Sequence, residues 1–218
     1  MDMLKKNNKR KIFCSALVLG SFGFLAASFV SIIYVITKNK IQYQEQRYKN
    51  IIFNHIVPSN LHDNDIQRSC LILNNKLLGD KKNHYLWLAK KKQDITAVIF
   101  ETIAPDGYSG IIKMVISLDI KNGKILGVRV LSHNETPGLG DKIDVNISNW
   151  ITKFSGVKIF SLDERDLSLK KYGGNIDQFT GATITPLAVV NSIKRTIVLV
   201  KMLLSSKFSE LTSCDNYE

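Results

Sequence analysis

The sequence predicts an α+β fold, in which one N-terminal transmembrane helix precedes a single exported domain with an antiparallel sheet packed by helices. Three observations predict it: an uncharged run at residues 13–37, alternating apolar residues around Asn122-Gly123, and an apolar helical stripe after Pro186. The chain of 218 residues has room for one anchor and one domain with a core of ordinary size. A sheet with helices on it buries both apolar patterns in one core.

The membrane helix is the first predicted element. Residues 13–37 form a run of 25 residues without a charge, and a helix of that length crosses a hydrocarbon core of roughly 30 Å. The alternative is a cleaved signal peptide, whose apolar stretch is usually shorter, at about 7–15 residues. Basic residues crowd before the run, at Lys5, Lys6, Lys9, Arg10 and Lys11. The positive-inside rule then keeps the N-terminus in the cytoplasm and exports the rest of the chain.

The chain after the span is predicted to continue as a helix from residue 41 until Pro58 ends it. Residues 60–94 are rich in Asn, Asp and Lys, and they predict only a short strand at residues 85–89. A further strand is predicted over residues 95–102, because apolar and β-branched residues dominate there.

The clearest local structure is a β-hairpin. Apolar residues occupy every second position over residues 112–120, and the alternation resumes at residues 126–130. Asn122-Gly123 lies between the two runs, and this dipeptide is the strongest short signal of a tight hairpin turn. We therefore expect two neighbouring antiparallel strands.

A first amphipathic helix is predicted between Asp141 and Gly156. Its apolar residues fall at helical spacing: Ile143, Ile147, Trp150, Ile151 and Phe154. Asp141 suits the start of a helix and Gly156 suits the position after its end. Trp150 and Phe154 are interpreted as core residues rather than as contacts to a cofactor.

A second helix is predicted over residues 186–205, with Thr185 as its N-cap and Pro186 as its first residue. Charged residues interrupt its apolar run, at Lys194, Arg195 and Lys201. Charges are costly in a bilayer, so they favour a core helix over a second membrane span.

Composition excludes some functions and leaves one question open. The net charge is +11, but the lysine clusters at residues 81–82 and 90–92 lack a nucleic-acid motif or an interleaved aromatic platform. We expect solvated surface there and no nucleic-acid partner.

Cys14 lies in the span, whereas Cys70 and Cys214 can pair in an oxidising compartment. The spacing of the three cysteines fits neither zinc nor an iron–sulfur cluster, so no metal site is predicted.

The candidate site rests on the sequence Asp-Gln-Phe-Thr-Gly-Ala-Thr at residues 177–183. Thr183 comes just before a predicted helix, where unpaired N–H groups and the helix dipole stabilise a negatively charged group. Gly181 and Ala182 leave little bulk around its hydroxyl. A second glycine-rich loop, His-Asn-Glu-Thr-Pro-Gly-Leu-Gly-Asp, lies at residues 133–141.

Both segments resemble motifs of one protein family. Residues 177–183 resemble the Asp-x-x-(Ser/Thr)-Gly-Ala-Thr signature at which flavin transferases esterify FMN to the last threonine. Residues 135–140 resemble the Glu-Thr-Pro-Gly-Leu-Gly loop of the same family. The family is that of the G subunits of the Rnf-type, ion-translocating electron transport complex, and its nearest relatives are the C subunits of the sodium-translocating NADH:quinone reductase. Tyr108-Ser109-Gly110 similarly resembles a flavin-contact segment of the family.

The resemblance implies a flavoprotein in which FMN is bound covalently through a phosphoester to Thr183. It also implies cofactor contacts from both motifs: Asp177, Thr180, Gly181, Ala182, Glu135, Thr136, Gly138, Leu139 and Gly140. Glu135 or Thr136 would hydrogen-bond the flavin, and Leu139 would pack on it. Asp177 has two readings, as a turn residue or as a recognition point for the transferase. No catalytic side chain is expected, because FMN itself supplies the redox chemistry.

The same resemblance implies an electron-carrying subunit of an inner-membrane translocase, which passes electrons between a ferredoxin-type donor and NAD and has no turnover alone. Its expected partners are the other subunits, the membrane and a flavin transferase. The expected organisation is a cytoplasmic N-terminus (1–12), the transmembrane helix (13–37), a membrane-proximal helix and polar region (38–94), a periplasmic FMN-binding domain (95–205) and a C-terminal tail (206–218).

Two alternatives stay open at this point. The chain is also compatible with the C subunit of a sodium-translocating NADH:quinone reductase, which has the same flavin chemistry. The other alternative is a non-redox, membrane-anchored assembly or sensory protein that binds flavin or nothing. A hydrolase finds no support, because the sequence contains neither a Ser-His-Asp nor a paired-carboxylate motif.

Overall fold

The computed structural model describes residues 2–92, 94–161, 163–204, 208 and 211–214. Contacts divide the chain into two compact units, Met1–Tyr48 and Lys49–Glu218. The second unit begins well before residue 95, where the sequence predicted the start of the cofactor domain. Met1, the predicted helix end at Ser205 and most of the predicted tail lie outside the described residues.

The first helix, α1 (Asp2–Ile56), is continuous, and its first 47 residues lie in the first unit. Within the described part of the chain, it is the one helix long and apolar enough to cross a membrane. Hydroxyl groups in the apolar run bond back to helix carbonyls, as when Thr37 donates to Ile33 O at 2.8 Å. Such bonds satisfy polar groups that lipid cannot. The helix ends at Ile56, so the predicted stop before Pro58 is confirmed.

The second unit contains one antiparallel sheet in the order β5-β4-β3-β2-β1-β6. Its strands are β1 (Cys70–Asn74), β2 (Asn83–Lys91), β3 (Asp94–Ala104), β4 (Ile112–Asp119), β5 (Lys124–Ser132) and β6 (Thr212–Ser213). The predicted β4–β5 hairpin is confirmed. Gly123 takes φ +59°, and Asp119 Oδ1 accepts the N–H of Asn122 at 2.8 Å. The prediction for residues 60–94 was incomplete, because β1 pairs there with a longer β2.

The second helix, α2 (Ile184–Leu203), covers one face of the sheet. Ala188, Val189 and Ile193 are buried against strand residues such as Phe100 and Met114. The charged residues of α2 reach polar partners at the edge of this core: Lys194 Nζ bonds Ser168 Oγ and Arg195 Nη2 bonds Ile103 O, both at 3.2 Å. The prediction of a core helix is therefore confirmed.

The end of α1 covers the opposite face of the sheet. Ile52, Phe53 and Ile56 are buried against Trp87 and neighbouring strand residues. A Cβ at Gly127 would lie 3.0 Å from Cβ and Cγ2 of Ile56, so a side chain on β5 would push the helix away. The last turns of α1 thus complete the core on this face of the sheet.

The prediction of a helix between Asp141 and Gly156 is wrong. The structure has two short 3-10 turns there, Gly140–Ile143 and Asn149–Phe154. Between them, Asp144 Oδ1 accepts the N–H of Asn146 at 2.9 Å, and Ser148 Oγ accepts the N–H of Trp150 at 3.1 Å. These side chains compete with helix carbonyls for backbone donors, which interrupts a continuous helix. Trp150 and Phe154 are buried, as predicted, whereas Ile147 of the predicted apolar stripe is exposed.

A disulfide settles the open cysteine question. Cys70 at the start of β1 bonds Cys214, with Cα atoms 5.5 Å apart and a sequence separation of 144. The bond fastens the short β6 beside β1, where Leu71 pairs with Ser213. Cys14 in α1 is a free, exposed thiol.

Candidate cofactor site

A cleft of about 450 Å³ lies at the N-terminal end of α2. Three segments form it: the β3–β4 loop, the loop that follows β5, and the turn that leads into α2. Its lining residues are Tyr108, Glu135, Thr136, Leu139, Gly140, Gly181, Ala182, Thr183, Ile184 and Thr185. Seven of the ten predicted site residues are therefore gathered in one place, from the two motifs at residues 133–141 and 177–183.

Thr183 is the residue immediately before α2, and it is partly exposed in the cleft. Its carbonyl accepts the N–H of Leu187 at 3.3 Å. Its hydroxyl makes no capping hydrogen bond with the described residues, so the side chain does not close the helix end. The first N–H groups of a helix have no partner within it and attract an anion. A phosphate on the Thr183 hydroxyl would therefore lie where the helix stabilises negative charge.

The predicted cap at Thr185 is wrong. The helix begins at Ile184, so Thr185 is its second residue and Pro186 its third. Pro186 is tolerated there because the third N–H of a helix needs no intrahelical partner. Thr185 is 1% exposed, and its hydroxyl donates to Glu135 Oε2 at 2.6 Å. The sequence predicted that this hydroxyl caps the helix, but it bonds a residue that is distant in sequence.

The turn before Thr183 is tight and anchored in the core. Ala182 N–H donates to Phe179 O at 3.1 Å, and Gly181 takes φ +79°. That left-handed conformation suits glycine at the third position of a turn. The ring of Phe179 packs on Trp150, with centroids 5.0 Å apart. The core thus fixes the segment that carries Thr183.

The loop after β5 forms the opposite wall. Thr136 O accepts the N–H groups of Leu139 at 3.1 Å and Gly140 at 3.2 Å. Glu135 is only 5% exposed, and Oε1 accepts the N–H of Ser109 at 3.0 Å while Oε2 accepts the Thr185 hydroxyl. Both carboxylate oxygens are therefore engaged by the protein.

Apolar side chains stand exposed at the mouth of the cleft. The exposed fraction is 70% for Tyr108, 51% for Ile184 and 42% for Leu139. Apolar side chains beside a few polar groups are typical of a cofactor pocket. Tyr108 and Ile184 were not among the predicted site residues. The sequence signal for Tyr108 is the glycine-rich segment that resembles a family flavin contact. The only signal for Ile184 is that it directly follows Thr183.

Three predicted site residues do not line the cleft: Asp177, Thr180 and Gly138. The Asp177 carboxylate lies between two lysines, bonding Lys170 Nζ at 2.6 Å and also Lys153 Nζ. Hydrogen bonds from Lys153 and Lys170 lower the pKa of Asp177 to about 2. Its backbone carbonyl accepts Trp150 Nε1–H at 2.7 Å. Asp177 therefore joins the motif to two neighbouring turns.

The residues present fit a flavin nucleotide. The cleft volume of about 450 Å³ falls within the roughly 300–1,000 Å³ typical of small-molecule pockets. A hydroxyl at a helix N-terminus suits the phosphate, and the exposed apolar mouth suits a planar ring. A Cβ at Gly181 would lie 3.6 Å from Leu139 Cδ2, so the two walls approach closely there.

Comparisons with known proteins give consistent matches. The FMN-binding domain family matches residues 107–198, and the RnfG N-terminal region family matches residues 3–56. The G subunit of the ion-translocating oxidoreductase complex of Buchnera aphidicola subsp. Schizaphis graminum is 44% identical, over 88% of this chain and 94% of that protein. The G subunit of Vibrio cholerae serotype O1 (strain M66-2) is 43% identical, over 85% and 88%, and that of Photorhabdus laumondii is 44% identical, over 91% and 94%.

Among solved structures, the C subunit of the Na⁺-translocating NADH-quinone reductase from Parabacteroides distasonis is similar. It is 23% identical with a TM-score of 0.47, covering 63% of this chain and 78% of that one. NqrC from Shewanella oneidensis is 19% identical with a TM-score of 0.43, covering 67% and 78%.

Proposed function

The chain belongs to the family of G subunits of the ion-translocating oxidoreductase complex, and from this we propose that it carries electrons within such a complex through an FMN esterified to Thr183. The observation that carries the proposal is the position of Thr183, at the start of α2 and inside the cleft. Attachment replaces the Thr183 O–H bond by an O–P bond, with FAD as the flavin donor, a flavin transferase as the catalyst and AMP as the leaving group.

The side chains have distinct tasks in this proposal. FMN supplies the electron-transfer chemistry when bound, and the protein sets its position and surroundings. The first turn of α2 stabilises the negative charge of the phosphoester. Tyr108, Leu139 and Ile184 exclude water from the ring, while Gly140, Gly181 and Ala182 leave room for it. Thr136 offers a hydroxyl at the polar edge of the cleft.

Three further residues of the motifs have supporting roles in this proposal: Asp177, Thr180 and Gly138. The ion pairs of Asp177 hold the Thr183 segment against the turns that carry Lys153 and Lys170. Thr180 is exposed in the turn before Thr183, where the transferase can contact it. Gly138 takes φ +77°, which lets the opposite loop fold back on Thr136.

We propose that α1 spans the inner membrane at residues 13–37, with residues 1–12 in the cytoplasm and the domain in the periplasm. The lysines before the span and the Cys70–Cys214 disulfide support this orientation, because disulfides persist in oxidising compartments. The proposed organisation is otherwise a membrane-proximal region (38–94), the FMN-binding domain (95–205) and a C-terminal tail (206–218), with β1, β2 and β6 of the flanking regions added to the sheet of the domain. Protease added to spheroplasts should degrade the domain, and full protection would contradict the orientation.

The family relationship favours a G subunit over the two alternatives. Three relatives that share 43–44% identity over at least 85% of this chain are named as G subunits. A non-redox role would leave the apolar mouth of the cleft and its threonine without a ligand. An absorbance spectrum without a flavin band, after coexpression with a competent transferase, would favour that alternative.

The intact mass of the full chain tests the central claim. Coexpression with a flavin transferase should add the mass of FMN less water, and the modified peptide should contain Thr183. Thr183→Val removes the hydroxyl at equal volume and should abolish the addition, whereas Thr183→Ser should retain it. Thr196→Val is the matched control, because it makes the same change at a hydroxyl of α2 that lies outside the cleft lining. Flavin that persists in Thr183→Val would refute the assignment.

A further inference from the structure

Glu135 lies at the point where the three segments of the cleft meet. Oε1 accepts the N–H of Ser109 in the β3–β4 loop at 3.0 Å. Oε2 accepts the hydroxyl of Thr185 in the first turn of α2 at 2.6 Å. Glu135 itself begins the loop after β5, where its own N–H donates to His133 Nδ1 at 3.1 Å. One buried carboxylate therefore bonds to both of the other cleft segments.

Two glycines close around this carboxylate. A Cβ at Gly140 would lie 2.7 Å from Glu135 Oε2 and 2.9 Å from Thr185 Oγ1. A Cβ at Gly107 would lie 3.0 Å from Glu135 Oε1 and 2.3 Å from the carbonyl of Gly110. Since both distances to the carboxylate are at or below the closest approach of real Cβ atoms, any side chain at these positions would separate the segments.

We infer that Glu135 is a positioning residue: it fixes the first turn of α2 against the two loops and so determines where the Thr183 hydroxyl stands in the cleft. Thr185 is two residues after Thr183 in the same helical turn, so the bond to Glu135 holds the backbone that carries the acceptor hydroxyl. The same carboxylate holds the backbone next to Tyr108, through the neighbouring Ser109 N–H. Glu135 acts on the cofactor through these segments, and the inference rests on the proposed flavin attachment.

Thr185→Val tests the inference, because it removes the donor hydroxyl and keeps the volume and the β-branch. The matched control is Thr196→Val, in the same helix. Thr196 is also buried, and its hydroxyl oxygen lies 3.0 Å from Ser192 O and 3.2 Å from Thr102 Oγ1, away from the cleft lining. Both variants lose a buried hydroxyl bond, so both should lower the melting temperature of the full chain in detergent by a few degrees.

The two variants should differ in flavin attachment. With purified transferase and FAD, Thr185→Val should slow covalent attachment by about tenfold or more, since misplacing a reacting group by ~1 Å costs up to ~100-fold. Thr196→Val should attach flavin at the wild-type rate, and Thr185→Ser, which retains the hydroxyl, should restore it. Equal rates for Thr185→Val and Thr196→Val, or no rescue by serine, would overturn the inference.

Hydrogen exchange in the flavin-free chain provides a second readout. The Ser109 amide should exchange several-fold faster in Glu135→Leu than in wild type, because leucine offers no acceptor for its N–H. Glu101→Leu is the control: Glu101 is a partly buried carboxylate that pairs with Lys49 at 4.0 Å on the other face of the sheet. Unchanged Ser109 exchange in Glu135→Leu would overturn the inference. A wild-type chain that accepts no flavin would instead refute the proposed function, and the exchange result would still stand.

Discussion

Asp177 illustrates what single residues of the flavin motif do. It is separated from the cleft lining, and two lysines from different turns share its carboxylate. Sequence reasoning offered a turn residue or a recognition point for the transferase. The ion pairs add a further task, which is to hold residues 177–183 against the rest of the domain.

The pH dependence of stability tests this task. The folded pKa of Asp177, about 2, lies below the ordinary aspartate value of 3.8, so the stabilisation is fully present above about pH 4 and is lost as the pH falls toward 2. Asp177→Asn should therefore unfold at lower urea concentration than wild type at pH 7, and the difference should shrink between pH 4 and pH 2. Asp144→Asn is the control, because the asparagine oxygen can still accept the N–H of Asn146. This variant should therefore unfold at the same urea concentration as wild type. A difference for Asp177→Asn that does not change with pH would contradict the ion-pair account.

Gly140 offers a second test at the residue scale. Gly140→Ala would force a methyl group against Glu135 and Thr185, and overpacking of this kind costs about 1–3 kcal/mol. Gly173→Ala is the control outside the cleft lining: its space is open, but φ is +80°, so we expect only backbone strain of roughly 1–2 kcal/mol. Covalent flavin should fall markedly in Gly140→Ala and persist in Gly173→Ala. Urea unfolding and intact mass measure both effects, and equal flavin content in the two variants would contradict the packing argument.

At the scale of elements, α1 has two environments. Its apolar run, in the first unit, exposes large side chains such as Phe22 and Phe29 that suit lipid. Its last turns belong to the second unit and bury Ile52, Phe53 and Ile56 on the sheet. The same helix thus has an apolar run whose side chains are exposed and last turns whose side chains are buried on the sheet. The polar surroundings of residues 41–57 gave no sign in sequence that these residues complete a core.

Phe53→Ala tests the contribution of α1 to the domain. Phe53 is 1% exposed, and its ring lies 4.8 Å from that of Trp87, so the change should cost about 3–5 kcal/mol of unfolding free energy. Phe160→Ala is the control, because Phe160 is 58% exposed and should cost less than about 1 kcal/mol. Tryptophan fluorescence during urea unfolding of the full chain in detergent measures both. A loss for Phe53→Ala no larger than the control would show that α1 does not stabilise the sheet.

At the scale of the whole molecule, segments from the N-terminal and C-terminal parts of the chain both pack on the sheet. The N-terminal helix covers one face, and the C-terminal segment adds β6 beside β1. The Cys70–Cys214 disulfide links the C-terminal segment covalently to β1. For a sequence separation of 144 between the cysteines, loop-closure entropy predicts a stabilisation of about 5 kcal/mol at most.

Cys214→Ser should lower the free energy of unfolding by about 2–4 kcal/mol, the usual contribution of a disulfide. Cys14→Ser should leave stability unchanged, since Cys14 is a free thiol. Reducing agent should destabilise wild type and Cys14→Ser but have no further effect on Cys214→Ser. The measurement is urea unfolding with and without dithiothreitol. Insensitivity of the wild-type chain to reduction would contradict a stabilising role for the disulfide.

The sequence by itself determined what depends on neighbours along the chain. An uncharged run predicts a span because lipid excludes charge, Asn122-Gly123 predicts a hairpin because its turn needs positive φ, and residues 177–183 carry a motif that spacing alone identifies. Tertiary structure alone decided three other features. Thr185 bonds Glu135 instead of capping α2, Asp177 pairs with lysines from two other turns, and β1 forms because β2 lies beside it. In each case a side chain or strand found its partner across a fold, and such long-range partners leave no periodic signal in sequence.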